Sequence, residues 1–227
     1  MSNIFCIFKR KNKKSMICKT GYHEFFDEDK AKEFQEEVYG DYCKEYLLKE
    51  RKIKSYGYEY RIPLSDIYLK AYLGYTHADI NEYLRTGEYH DQECARQLEA
   101  LIDKLNELLI LAPRVPYNIV VYRGISDDSL NKMLNIQSMY NDIYMDEAFL
   151  STSLLKQTVI KEFPSYDNIL KIYVPKNAYA MGVDGATDRK EFELLFPSRQ
   201  YLNYLGKEYD RTSNKRIYEY ELMNLRC

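Results

Sequence analysis

Asn118-Ile119-Val120-Val121-Tyr122-Arg123-Gly124-Ile125 is the stretch at which the chain changes period. It is a short apolar run rich in β-branched residues, and it reads as a strand. The clear patterns before it are helical. Leu98, Leu101, Ile102, Leu105, Leu108 and Leu109 form one apolar stripe within Cys94 to Leu111, and Pro113 follows as a stop. That stripe reads as core. Asp79 to Arg85 is a second helix, closed by Gly87, and Ile67 to Tyr75 is a third. Further upstream, Asp27 and Asp29 are candidate caps for a helix that carries Ala31, Phe34 and Val38.

After the stretch the patterns are those of strands. Phe149 to Leu154 is one, Ile169 to Val174 is closed by Pro175, and Glu191 to Phe196 is closed by Pro197. In Ile217 to Met223 the residues Tyr218, Tyr220 and Leu222 alternate with Glu219 and Glu221, so the glutamates are expected on a solvated face. Helices first and strands later make an α+β chain. The expected architecture is an N-terminal helical lobe followed by a β-sandwich of two antiparallel sheets.

The bulk numbers exclude several classes. With 227 residues, 45% of them hydrophobic and 30% charged, the chain is large and apolar enough for a buried core and too apolar for disorder. A formal net charge of -2 lacks the basic footprint of a nucleic-acid binder. The cysteines (Cys6, Cys18, Cys43, Cys94 and Cys227) are scattered, without CxxC spacing, so neither a zinc site nor a disulfide framework is expected. No metal is expected elsewhere. No stretch is long and apolar enough to span a membrane. The basic run Lys9 to Lys14 is not followed by the apolar core of a secretory signal. The many tyrosines suit half-exposed strands and clefts, and an AT-rich genome would explain them equally well.

Three short features could carry chemistry. On a strand, Glu191 and Glu193 point to one side and Phe192 to the other. Paired carboxylates can divide labour, one stabilising an oxocarbenium-like centre and the other handling a proton or nucleophile. Alone, the pattern is more often a solvated face, as expected for Glu219 and Glu221. Arg123 ends an apolar strand beside Gly124 and could fork onto a phosphate. In Ser151-Thr152-Ser153 the two serines share a face, where hydroxyls can orient a carboxylate. Either feature alone would read as an ordinary strand.

In this order, an arginine strand, a Ser-Thr-Ser strand and a Glu-x-Glu strand resemble the arginine/STS/ExE class of mono-ADP-ribosyltransferases. The likeness is greatest to the bacterial toxin branch, which includes the C3-like exoenzymes and the catalytic domains of actin-modifying binary toxins. Val120-Val121-Tyr122-Arg123-Gly124, Phe149 to Leu154, Ile172-Tyr173-Val174-Pro175-Lys176 and Glu191 to Pro197 resemble the family's strands in context as well as in motif. Phe25, Asp27 and Ala31 match its early FxDxxxA pattern, and Tyr75-Thr76, Ile80-Asn81 and Leu84-Arg85 match its YT…IN…LR helix. Phe34 stands near the place of a frequent tryptophan. The loop after the Ser-Thr-Ser strand often carries an arginine, and here it offers Lys156, Lys161 and Phe163.

The resemblance implies an ADP-ribosyltransferase-type fold, with residues 1–20 as an N-terminal extension and 21–227 as a single catalytic domain. It implies NAD as substrate and a protein acceptor. Arg123 would bind the NAD pyrophosphate, supported by Arg85 and Asn81, with Tyr75 and Ser153 also at the NAD site. Ser151 would orient Glu193, and Glu193 would hold the ribose and stabilise the oxocarbenium. Glu191 would hold the nucleophile, and in the family a glutamate here goes with arginine acceptors. Gly182 to Lys190, with Gly185 and Asp188 and then Phe192, would form the loop that meets the protein substrate. Actin is the first acceptor that the likeness suggests. A monomer is expected, secreted or delivered into a target cell, with a cytoplasmic phage or injected enzyme as the alternative. The competing readings are an NAD glycohydrolase on the same scaffold, an inactive module that kept the NAD site, and, more remotely, a glycosidase.

Overall fold

The computed structural model describes residues 18–47, 50–55, 58–63, 66–89, 91–184 and 190–223. Helix α1 (Glu28–Tyr42) begins where the Asp27 side chain accepts the Lys30 N–H at 3.1 Å. Asp27 is therefore the cap, and Asp29 lies inside the first turn, where a negative charge suits the helix N-terminus. Ala31 and Phe34 are buried, and the Phe34 ring packs against Phe25 with centroids 5.1 Å apart. The helix runs on through a π-helical turn, Cys43–Leu47. Strands β1 (Glu50–Ser55) and β2 (Tyr58–Pro63) then form a two-stranded sheet of their own.

Helix α2 (Asp66–Ala71) passes through a second π-helical turn, Tyr72–Thr76, into α3 (His77–Thr86), and Gly74 breaks the helical path with φ -85 and ψ -117. Helix α4 (Gln92–Leu111) is capped by Asp91. Its stripe is core: Leu98, Ile102, Leu105 and Leu109 are buried, and Leu101 and Leu108 pack partly buried beside them.

The remaining elements are β3 (Ile119–Ile125), α5 (Asp127–Met139), β4 (Ile143–Asp146), β5 (Leu150–Ser153), α6 (Lys156–Glu162), β6 (Asn168–Val174), β7 (Met181–Gly182), β8 (Glu193–Phe196), β9 (Gln200–Asp210) and β10 (Lys215–Leu222). The α+β class and the order of helical lobe before sheet are as expected, with α5 and α6 added among the strands. No described helix is long and apolar enough to cross a membrane.

The strands form an eight-stranded sheet in the order β4-β9-β10-β6-β3-β5-β8-β7. Its joints are unequal. β3 pairs with β6 along its whole length, from Ile119↔Val174 to Ile125↔Asn168. β3 meets β5 at one pair, Tyr122↔Ser153. The sheet thus divides into a five-stranded part ending at β3 and a three-stranded part starting at β5, held at one point. Most neighbours are antiparallel, but β6 and β10 run parallel. Arg123 lies one residue past the joint on one part, and Ser151 and Glu193 lie on the other.

The face of β10 that carries Glu219 is covered, contrary to expectation. Glu219 is 8% exposed, accepts a hydrogen bond from Tyr173 at 2.7 Å and pairs with Lys19 at 2.5 Å. Burial alone would raise its carboxyl, but these two hydrogen bonds, together with the charges of Lys19 and Lys171, hold it below its ordinary value. The cover is the segment before α1, which bridges onto β3 at His23↔Ile119. From the same segment Glu24 takes hydrogen bonds from Tyr122 and Lys171.

Candidate active site

A cleft of about 370 Å³ opens at the joint between the two parts of the sheet. β3 supplies Arg123 and Gly124, β5 supplies Ser151 to Ser153, and Glu191 and Glu193 come from the entry to β8. Tyr72, His77 and Asn81 close one side from the helical lobe, and Val159, Glu162, Phe163 and Tyr166 close the other.

Ser151 and Glu193 meet through strand register. Ser151 stands opposite Leu195 on β8, which makes Glu193 its diagonal neighbour on the same face. A glutamate is long enough to span that diagonal, and Ser151 Oγ donates to Glu193 Oε1 at 2.5 Å. The Glu193 residue is 8% exposed. Ser153, two residues on, uses its hydroxyl on the backbone: it donates to the Glu191 carbonyl at 2.7 Å and accepts the Leu155 N–H at 3.1 Å.

The expectation that Glu191, Phe192 and Glu193 share one strand is corrected. The strand begins at Glu193, and Phe192 adopts a left-handed conformation with φ 51. The simple alternation argument therefore does not apply, although both glutamates line the cleft. The place of Phe192 is corrected as well. Phe192 is 6% exposed and packs in the hydrophobic core. Gly185 and Asp188 lie outside the described residues, and so does the side chain of Tyr75.

Two arginines share one buried carboxylate. Arg85 Nη2 donates to Asp146 Oδ1 at 3.2 Å, and Arg123 Nη1 lies 3.7 Å from Asp146 Oδ2. Asp146 Oδ1 also accepts the Ala148 N–H at 3.2 Å. Arg123 Nη1 is buried and has no hydrogen-bond partner among the described residues. Two guanidinium groups against one carboxylate leave a positive balance, and a buried donor without an acceptor is costly unless an anion arrives. Arg85 does not line the cleft itself. It lines an adjoining recess of about 320 Å³ with Arg123, Lys132 and Asp146.

On the helical side, Asn81 Nδ2 donates to the Tyr72 hydroxyl at 3.2 Å. Burial pushes that hydroxyl up to about 12, so it stays protonated at neutral pH. On the opposite side the rings of Phe163 and Tyr166 stack, with centroids 5.4 Å apart and 13° between planes. They pack down onto Gly124, where an added Cβ would lie 3.1 Å from Tyr166 Cδ2 and 3.3 Å from Phe163 Cβ. Lys156 is paired with Asp210 and Lys161 with Glu162, and neither lysine lines the cleft.

The letters of the motifs led to Arg123, Ser151, Glu191, Glu193 and Asn81, which line one cleft, and to Arg85 in the adjoining recess. Asp146, Tyr72, Tyr166, Gln35 and Asp184 were missed. Gln35 on α1 reaches the Glu193 carbonyl at 3.1 Å. It can do so because α1 lies close to β7: an added Cβ on Gly182 would stand 2.9 Å from Gln35 Oε1. Such contacts join residues far apart in sequence and leave no local signal. Among the described residues no group of His, Cys, Asp and Glu could hold a metal ion.

The model of the ADP-ribosyltransferase exoenzyme family matches residues 31–222. No curated protein matches the chain by sequence. Solved structures do match by fold. BECa, an ADP-ribosylating toxin of a binary enterotoxin of C. perfringens, solved with NADH, has a TM-score of 0.68 and 21% identity over 89% of this chain. The chain spans only 50% of that protein's length. Plx2a, an ADP-ribosyltransferase toxin from Paenibacillus larvae, has a TM-score of 0.69 and 17% identity over 89% of this chain and 100% of its own. C3stau2 from S. aureus, solved with NAD, has a TM-score of 0.66 and 16% identity over 89% and 98%.

Proposed function

This chain belongs to the ADP-ribosyltransferase exoenzyme family, and on that premise we propose that it transfers ADP-ribose from NAD to an arginine side chain of a protein. The observation that carries the reading is the Ser151–Glu193 hydrogen bond in the cleft that Arg123 also lines.

The pyrophosphate of NAD is a dianion, and Arg123 with Arg85 offers it a pair of guanidinium groups. Asp146 holds both arginines from behind, so little side-chain freedom is lost when the phosphates arrive. The stacked rings of Phe163 and Tyr166 offer a flat apolar wall for the nicotinamide.

The bond that breaks joins ribose C1′ to the nicotinamide nitrogen. Its electron pair leaves with nicotinamide, and positive charge develops on C1′ and the ring oxygen. In this reading Glu193 accepts a hydrogen bond from the ribose 2′-hydroxyl and opposes that charge. Ser151 fixes its rotamer beforehand. Preorganised charge of this kind lowers a barrier by roughly 3 kcal/mol or more, which is about a hundredfold or more in rate.

Glu191 faces the same cleft from the segment before β8. A carboxylate matches a guanidinium through paired hydrogen bonds, and it can take the proton that the attacking nitrogen loses as its bond to C1′ forms. The acceptor is therefore proposed to be an arginine, with actin the first protein to try.

Nicotinamide release from NAD by the purified chain, with and without a cell lysate, tests this reading. Release that rises with lysate, together with label from NAD on a protein, supports transfer. Release unaffected by lysate and without labelled protein makes the chain an NAD glycohydrolase. No release at all overturns the enzymatic reading.

A further inference from the structure

Phe192 holds a backbone conformation that a bulky residue keeps only when its surroundings impose it. The surroundings do so in full. Each backbone polar group from the Glu191 carbonyl to the Glu193 carbonyl has a partner. Ser153 Oγ donates to the Glu191 carbonyl, and Leu154 N–H to the Phe192 carbonyl at 2.9 Å. Val183 N–H and Gln35 Nε2 both donate to the Glu193 carbonyl. The two amides between them point at one side chain. Asp184 Oδ2 accepts the Phe192 N–H at 2.7 Å, and Asp184 Oδ1 accepts the Glu193 N–H at 3.0 Å.

In an ordinary strand two successive amides point to opposite edges. Here they converge, and this turns the residue between the two glutamates inward. A carboxylate suits the task because both of its oxygens accept. Asparagine has one accepting oxygen and an amino group that would confront the second amide. Asp184 does not line the cleft. Its carboxyl is raised above the ordinary value by burial, against the pull of the two amide bonds, with the Glu191 charge raising it further.

We propose that Asp184 is a positioning residue, whose carboxylate takes the adjacent amides of Phe192 and Glu193 and so sets how the Glu191 and Glu193 side chains enter the cleft. The inference rests on the roles given to those glutamates above. The arginines proposed to hold the pyrophosphate do not depend on it, because Arg85 and Arg123 pair with Asp146.

The test compares the wild-type chain with Asp184→Asn. The expected kcat for nicotinamide release falls by about tenfold or more, while KM for NAD stays within about threefold. The melting temperature stays within a few degrees, because burying an amide in place of a desolvated carboxylate offsets part of the lost bonding. Amide hydrogen exchange at Phe192 and Glu193 becomes faster. An unchanged kcat overturns the proposal, and so does unchanged exchange at these amides. A joint loss of NAD binding, kcat and melting temperature overturns it too, since that is the mark of a merely structural residue. If the wild type releases no nicotinamide, the functional reading fails first and this inference falls with it. If the wild type is active and loses activity with Glu193→Gln, a normal Asp184→Asn sinks this inference alone.

Discussion

The chain carries Glu-x-Glu twice near its C-terminal end, at Glu191-Phe192-Glu193 and at Glu219-Tyr220-Glu221. Glu193 and Glu219 are equally buried, and each accepts a hydroxyl hydrogen bond, but the backbone path and the surroundings differ. Glu219 and Glu221 sit within one strand, paired residue by residue with β6, while the register with β9 on the other side shifts between Glu219 and Tyr220. Glu219 is buried under Lys19 and Tyr173, a structural ion pair that ties the segment before α1 to the sheet. At Glu191 and Glu193 the backbone is held by side chains, the residue between is left-handed, and both glutamates line a cleft beside Arg123. Spacing alone does not distinguish a reactive pair from a structural one. The backbone path and what covers the carboxylates do.

Exchanging each glutamate for glutamine should separate the two places. Glu193→Gln should lower both transfer and NAD hydrolysis by about a hundredfold or more, because it removes the charge that opposes the oxocarbenium. Near-normal turnover by this variant would break the comparison outright. Glu191→Gln should lower transfer by about tenfold or more and leave NAD hydrolysis within a few-fold, since proton removal from the acceptor contributes of that order. Equal loss of both activities would mean that the two glutamates do not divide the work. Arg123→Ala should raise KM for NAD by about tenfold to a hundredfold, the range expected for a charge-assisted hydrogen-bond pair worth about 1.5–3 kcal/mol. An unchanged KM would place the pyrophosphate elsewhere.

Glu219→Gln gives the smallest kinetic effect and is the control from the other side. It should leave kcat and KM unchanged and lower stability by about 1–3 kcal/mol at neutral pH, the value of a buried hydrogen-bonded charge. The pH dependence has a definite sign. The folded carboxyl of Glu219 lies below its ordinary value, so its contribution is present above the unfolded pKa of about 4.3 and is lost as pH falls through the folded value. Melting curves of wild type and Glu219→Gln should therefore converge as the solution is acidified below that point. A constant gap would show that the ion pair is not what Glu219 contributes.

The sequence was readable where one element carries its own pattern. The α4 stripe repeats often enough to name its buried leucines, and β3 opens on the apolar, β-branched run Ile119-Val120-Val121. Arg123, Ser151 and Glu193 were readable as letters in order. Charged residues hid β1, where Glu50-Arg51-Lys52-Ile53-Lys54-Ser55 holds one apolar residue, and polar residues interrupt β9. The burial of Glu219 depends on a partner 200 positions away, and the grip on Glu193 depends on Gln35, 158 positions away. The left-handed Phe192 depends on Asp184 and on core packing of its ring, which no local pattern encodes. Contacts of that kind exist only once the helical lobe and the two parts of the sheet have come together.

The central claim is that NAD is opened in this cleft and its ADP-ribose delivered to arginine. Its most direct test is to incubate the purified chain with labelled NAD and a cell lysate, isolate the labelled protein, and locate the modified side chain by mass spectrometry. ADP-ribose is expected on an arginine, and it is absent when Glu193→Gln replaces the wild type. ADP-ribose on another type of side chain would contradict the arginine assignment made from Glu191, and label that persists with Glu193→Gln would contradict the site itself.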